Sequence, residues 1–201
     1  MPRGIGKGFA MPRFTKIPQD TFETMQLDAG ILLYDFDPAT AAEPADEDIV
    51  CATTGGIKID CIPSYTDMGE NVDNCPTNMM ELKKLSGWDC RFGFTSLGTS
   101  LKSLRLALGA ADVDESSGKV TIRRNLDTEK DFSDLWWVGD KAGGGMVAIL
   151  LKNALSAGGF SLQTTKNGKG QISCELAGHV SIYAQDDMPM EFYSTDAEAA
   201  S

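Results

Sequence analysis

Residues 56–63 read G-I-K-I-D-C-I-P, and residues 88–95 read W-D-C-R-F-G-F-T. In the first run Ile57, Ile59 and Cys61 alternate with Lys58, Asp60 and Ile62, and the second run alternates again. A period of two marks strands that keep one face on a core. Between them, residues 66–87 show no such period and read as a long acidic loop. Connections beyond roughly 12–15 residues without structure of their own tend to be functional or to be ordered by a partner. Nothing in this loop looks able to perform chemistry, so its reading is reach toward another protein.

Further strand signals lie at Gly30–Asp37, stopped by Pro38, and at Val120–Arg124, Leu135–Gly139 and Met146–Asn153. Gly159–Lys166, Gly170–Gln185 and Pro189–Tyr193 complete the set. Asn167-Gly168 sits between two alternating runs, a strong hairpin signal. Ala39–Asp48 is linker-like, and Gly143-Gly144-Gly145 reads as a flexible turn. One helix is indicated, capped by Thr99 or Ser100 and stopped by Gly109, with Leu101, Leu104 and Leu108 as its core stripe. The expected fold is mainly β: an antiparallel sandwich or barrel with one α-helix. Residues 1–25, broken by glycine and proline, read as an N-terminal arm. Residues 26–194 form the body and 195–201 a frayed tail.

The formal net charge is −11, and it is unevenly placed. Residues 1–16 carry Arg3, Lys7, Arg13 and Lys16 and no acid. Residues 20–89 carry fifteen Asp or Glu against Lys58, Lys83 and Lys84. Binding to nucleic acid through phosphates runs on clustered Lys and Arg, so this balance argues against it. It suits a surface that repels DNA, or simply a solvated one. No run approaches the roughly 18 apolar residues of a membrane helix, and residues 1–10 lack the apolar segment of a secretory signal. Synthesis and assembly in the cytoplasm are the expectation.

The search for chemistry returns little. Cys51, Cys61, Cys75, Cys90 and Cys174 are widely spaced, without C-x-x-C, and His179 is the sole histidine, a poor basis for a metal site. Reduced structural cysteines are expected. G-I-G-K-G at 4–8 lacks the strand, the Ser or Thr and the helix of a phosphate loop. His179 and Cys174 differ by an odd number along one strand and so face opposite sides. Asp35 and Asp37 share a strand face, as acid–base or cation-binding pairs do, but neighbouring carboxylates arise by chance in so acidic a chain. Trp136-Trp137 is more informative. Adjacent strand residues point oppositely, so one tryptophan faces away from the core and needs another element or subunit to cover it.

The segments T-T-G-G-I-K (53–58), D-M-G-E-N-V-D-N-C-P-T-N-M-M-E-L-K-K-L-S-G-W (67–88), F-S-D-L-W-W-V-G-D (132–140), L-K-N-A-L-S-A-G-G-F-S-L-Q-T (151–164) and K-G-Q-I-S-C-E-L-A-G-H-V-S-I (169–182) carry a specific likeness. Over residues 22–193 the chain resembles the major tail tube proteins of long-tailed bacteriophages and prophages. The resemblance implies a β-sandwich assembled as a hexameric ring, with rings stacked into a tube for genome ejection. It implies no enzymatic site and no cofactor. Its long loop and terminal arms would bridge subunits or rings, and here these are Thr66–Gly87, the arm before Gln26 and the tail after Tyr193. The contact candidates are Asp67, Glu70, Asp73, Asn74, Cys75, Pro76, Met79, Met80, Leu82 and Leu85, joined by Trp136 and Trp137, with Cys75-Pro76 as a rigid point.

The partners implied are further copies of the chain, the tape-measure, tail terminator and distal tail proteins, and genomic DNA passing without specific binding. No membrane insertion is implied, and the implied location is the virion tail. Rivals are a tube subunit of a contractile tail, a tailocin or a type VI machine, a ligand-binding β-sandwich, and a hydrolase using Cys174 or Asp35/Asp37. An acidic lumen would keep DNA from sticking.

Overall fold

The alternation around Ile57 and Phe92 becomes the longest hairpin of the chain. A computed structural model describes residues 17–196. In chain order the elements are α1 (Thr21–Thr24), β1 (Ile31–Leu33), β2 (Thr53–Asp67), β3 (Lys83–Ser96), α2 (Leu101–Leu108), β4 (Ala111–Asp114), β5 (Lys119–Ile122), β6 (Ser133–Asp140), β7 (Gly145–Ser156), β8 (Ser161–Gln163), β9 (Gln171–Ala177) and β10 (Met190–Asp196). The chain is mainly β; among the described residues every ladder is antiparallel and α2 is the one helix longer than a single turn. β4 and β5 pair only with each other; the other eight strands form one sheet, ordered β1-β6-β7-β9-β3-β2, with β10 on β7 and β8 on β9.

β7 belongs to both halves of that sheet. Its first part pairs with β6 and β10, while Leu155 and Ser156 pair with β9. Asn153, just before the change of partner, has φ 46°, a value asparagine tolerates better than most residues. Its N–H donates to Asp134 Oδ1 at 2.8 Å and its Nδ2 to the His179 carbonyl at 3.0 Å. His179 Nδ1 lies 3.0 Å from the Asn153 carbonyl oxygen, and Phe132 meets the imidazole edge-on. His179 is therefore a corner residue beyond β9, not the mid-strand residue expected.

The main core gathers Leu32, Phe92, Phe94, Leu135, Trp137, Leu151, Ile172, Leu176 and Met190, from both halves. Ser100 caps α2 by accepting from Ser103 N at 3.1 Å, and Gly109, at φ 74°, ends it by donating to the Arg105 carbonyl. The buried stripe is Ser103 and Ala107, not Leu101, Leu104 and Leu108. Small side chains occupy the closest approach to the sheet, and Leu104 and Leu106 pack from either side of them.

Several boundaries move. β1 stops at Leu33, so Asp35 and Asp37 share no strand face; Asp37 Oδ1 instead accepts from Ala39 N in a turn. The arm expected over 1–25 is anchored at its end, where Glu23 and Met25 carbonyls accept from Gly143 and Ala142. A Cβ at Gly143 would sit 2.8 Å from Glu23 Cα, so this glycine serves a close approach rather than a loose turn. Thr195 and Asp196, read as tail, pair with Met146 and Gly145 in β10. The basic segment 1–16, including the 4–8 motif, and residues 197–201 lie outside the described residues.

Both tryptophans are core. Trp137 enters the main cluster and donates from Nε1 to the Ala29 carbonyl at 3.0 Å. Trp136 points to the opposite face, into a second cluster with Leu33, Ala148, Leu150, Phe36, Ile49 and Tyr193. The cover expected from a subunit comes from the chain's own 36–49 segment, which corrects the assignment of Trp136 and Trp137 to an interface.

Candidate assembly surface

β9 pairs with β3 only over Arg91–Ser96. Beyond the Cys61↔Cys90 pair, the β2–β3 hairpin therefore leaves the sheet and continues alone to Asp67↔Lys83. The loop expected over 66–87 is shortened at both ends by this hairpin, which takes 66–67 and 83–87; 68–82 lies outside the strands and holds a short 3-10 turn at Met80–Leu82. Tertiary continuation of two strands, invisible to a local period, shortens the loop.

Side-chain parity does not change where the hairpin departs. On β2 the core-facing residues are Ile57, Ile59 and Cys61, and the same face continues as Pro63 and Tyr65. Their cross-strand partners are Trp88 and Leu85. The core-type stripe thus runs off the core: Trp88 is 39%, Leu85 45% and Tyr65 60% exposed. A bulge at Ser86 keeps Leu85 opposite Tyr65, with Ser86 Oγ 2.5 Å from Thr66 Oγ1. Among the described residues β2 has no partner on its other edge over its whole length.

The tip is ordered by Asp67. Its Oδ1 accepts from Gly69 N and its Oδ2 from Asn78 N, each at 3.0 Å, with Lys83 Nζ at 3.6 Å. The Gly69 N–H first, then the Asn78 N–H and Lys83, hold this carboxyl below the usual Asp value. Asn71, Asn74 and Asn78 take positive φ, so the tip is a series of turns. A Cβ on Gly69 would meet Cys75 Sγ at 2.8 Å and Leu82 Cδ1 at 2.9 Å, so Cys75 and Leu82 pack inside the tip.

The sequence candidates therefore divide. Asp67, Cys75 and Leu82 hold the tip together, and Asn74 shapes its backbone. Glu70, Asp73, Pro76, Met79, Met80 and Leu85 are exposed along the arm, Met80 most of all at 80%. Met68 and Val72 join them.

Two further surfaces escaped the sequence. Val180, Ile182 and Tyr183 are exposed on the 178–189 segment, Tyr183 almost completely. The strand expected over Gly170–Gln185 ends at Ala177, and these residues lie beyond it. The other surface is the outer face of the β2-β3-β9 half. There Lys58 meets Asp60 at 2.6 Å, and Arg91 meets Asp89 at 2.7 Å and Glu175 at 2.5 Å. The acids on this face are paired with bases.

Of the side chains named for chemistry, Cys174, His179 and Asp37 are engaged in the structure itself. Cys174 is buried, and burial pushes its thiol up to about 11. His179 is engaged at the β7 corner. Among the described residues no cluster of three His, Cys, Asp or Glu is placed to hold a metal ion. An open cleft of about 1010 Å³ lies between Leu27–Ile31 and Pro38–Pro44, without histidine or cysteine in its lining. No helix among the described residues is long and apolar enough to cross a membrane. The chain matches no family model and no curated protein.

Proposed function

We propose that the protein is a structural subunit of a bacteriophage tail tube, assembling into hexameric rings that stack around a channel for the genome. The observation that carries this reading is the projecting hairpin, whose core-type stripe of Pro63, Tyr65, Leu85 and Trp88 extends past the core of its own chain. A monomer leaves such a stripe and a long free edge as an aggregation hazard. A subunit consumes both, the stripe by packing and the edge by pairing across copies.

Ring closure requires two different, complementary surfaces on each copy. The arm is one; the Val180, Ile182 and Tyr183 patch is a candidate for the other. The open polar face, with Lys58 and Arg91 neutralised by neighbouring carboxylates, suits a wall along which DNA slides, because it presents no cluster of free cations to phosphates. On this reading the protein acts by assembly, with no bond-making step and no cofactor. Its partners are further copies and the proteins that measure and cap the tail.

Negative-stain electron microscopy of the purified protein at high concentration tests the proposal. Rings or tubes with a central channel are expected. Strictly monomeric particles without a channel overturn it.

A further inference from the structure

Cys61 and Cys90 stand directly opposite each other across β2 and β3, at the point where the hairpin leaves the sheet. Their sulfurs are 3.5 Å apart and both thiols are free. Opposed residues of an antiparallel pair have Cα atoms about 4.5 or 5.5 Å apart, and both spacings fall inside the range a disulfide spans. Closing the sulfurs to about 2.0 Å asks for side-chain rotation and no change of register.

We propose that Cys61 and Cys90 are an oxidation site: a thiol pair that a small-molecule disulfide converts into a covalent staple at the base of the arm. The two thiols are not equivalent. Cys90 is 2% exposed, and burial together with Cys61 beside it pushes its thiol up to about 12. Cys61 is only half-buried and is the thiol a reagent meets first. Its thiolate attacks one sulfur of the disulfide reagent, forming a mixed disulfide and releasing one thiolate. Cys90, after giving up its proton to solvent, attacks the Cys61 sulfur, and the second reagent thiolate leaves. Both cysteine sulfurs are oxidised to one S–S bond, and the reagent disulfide is reduced to two thiols.

Two of the other three cysteines make different sulfur contacts. Cys75 lies in the hairpin tip with its sulfur against Met79, and Cys174 faces the Ile172 carbonyl in the core. The closed pair would tie β2 to β3 at the base of the arm, so the two strands could not part there. This inference stands on the sulfur geometry alone and does not depend on the tube reading.

The test treats the full-length native protein with excess oxidised glutathione, blocks residual thiols with iodoacetamide, and maps unreduced peptides by mass spectrometry. The expected product is a monomer lighter by two hydrogens, with one peptide joining Cys61 to Cys90. It should melt several degrees higher than the reduced protein, reversibly on adding dithiothreitol. Cys61→Ser and Cys90→Ala should each abolish the linked peptide, and Cys75→Ser should leave it intact. Alkylation of both thiols after oxidation, stable glutathionylation of Cys61 without closure, or a linked form that melts lower would each overturn the proposal.

Discussion

The two ends of the β2–β3 hairpin share strands, pairing and side-chain parity, yet they meet opposite surroundings. At the body end, Phe92 and Cys90 are buried beneath β1, β6, β7 and β9 side chains. At the far end, Trp88 and Leu85 continue the same face but stay substantially exposed among the described residues. Alternation tells which side of a strand is apolar; it does not tell whether that side is covered. Covering depends on how far the neighbouring strands reach, and β9 stops short of the arm.

Substitutions at the two ends should therefore separate stability from assembly. Phe92→Ala removes a fully buried ring and should cost about 3–5 kcal/mol, measured by urea unfolding. An equal loss from Trp88→Ala would mean that the arm is packed in the free subunit. Replacing Met68–Leu82 by an Asn-Gly turn between Asp67 and Lys83 should keep the β circular dichroism of the body while abolishing rings and tubes in micrographs. Tubes formed by that variant would move the contact away from the tip.

Trp88→Ala should change unfolding by less than about 1 kcal/mol, as for an exposed site, while lowering the assembled fraction in sedimentation. The smallest effect belongs to Asp67. Its folded-state carboxyl titrates below the usual Asp value, so its clamp is fully present above that value and is lost as pH falls through the lower folded one. Amide resonances of Gly69 and Asn78 should shift together as pH falls below the usual Asp value, and Asp67→Asn should remove that shared titration without unfolding the body.

The strands with a strong local period were legible, as were the α2 caps and the Asn167-Gly168 hairpin. α2 shows the limit. Its leucines marked an apolar side, but the line of closest contact fell on Ser103 and Ala107, because small residues let a helix approach a sheet. Trp136-Trp137 shows another: the requirement for cover was readable, but the cover is Phe36 and Ile49, reached only through the fold. At the arm, Asn71, Asn74 and Asn78 take positive φ, so the turns of the tip have a signal in their asparagines that a period of two does not carry. Glu70, Asp73, Met79 and Met80 were found because exposed loop residues need no tertiary information. Cys75 and Leu82 needed it, since only the folded tip turns them inward.

The ladders also set an order of events. β2 and β3 are close in sequence and zip locally, whereas β1 must wait for β6, with Leu32 opposite Trp137, and β7 for β9. Non-local pairings close slowly. A newly made chain would therefore raise its sticky arm before its body has closed, and until β7 has taken both sets of partners, every neighbouring nascent chain is a premature target.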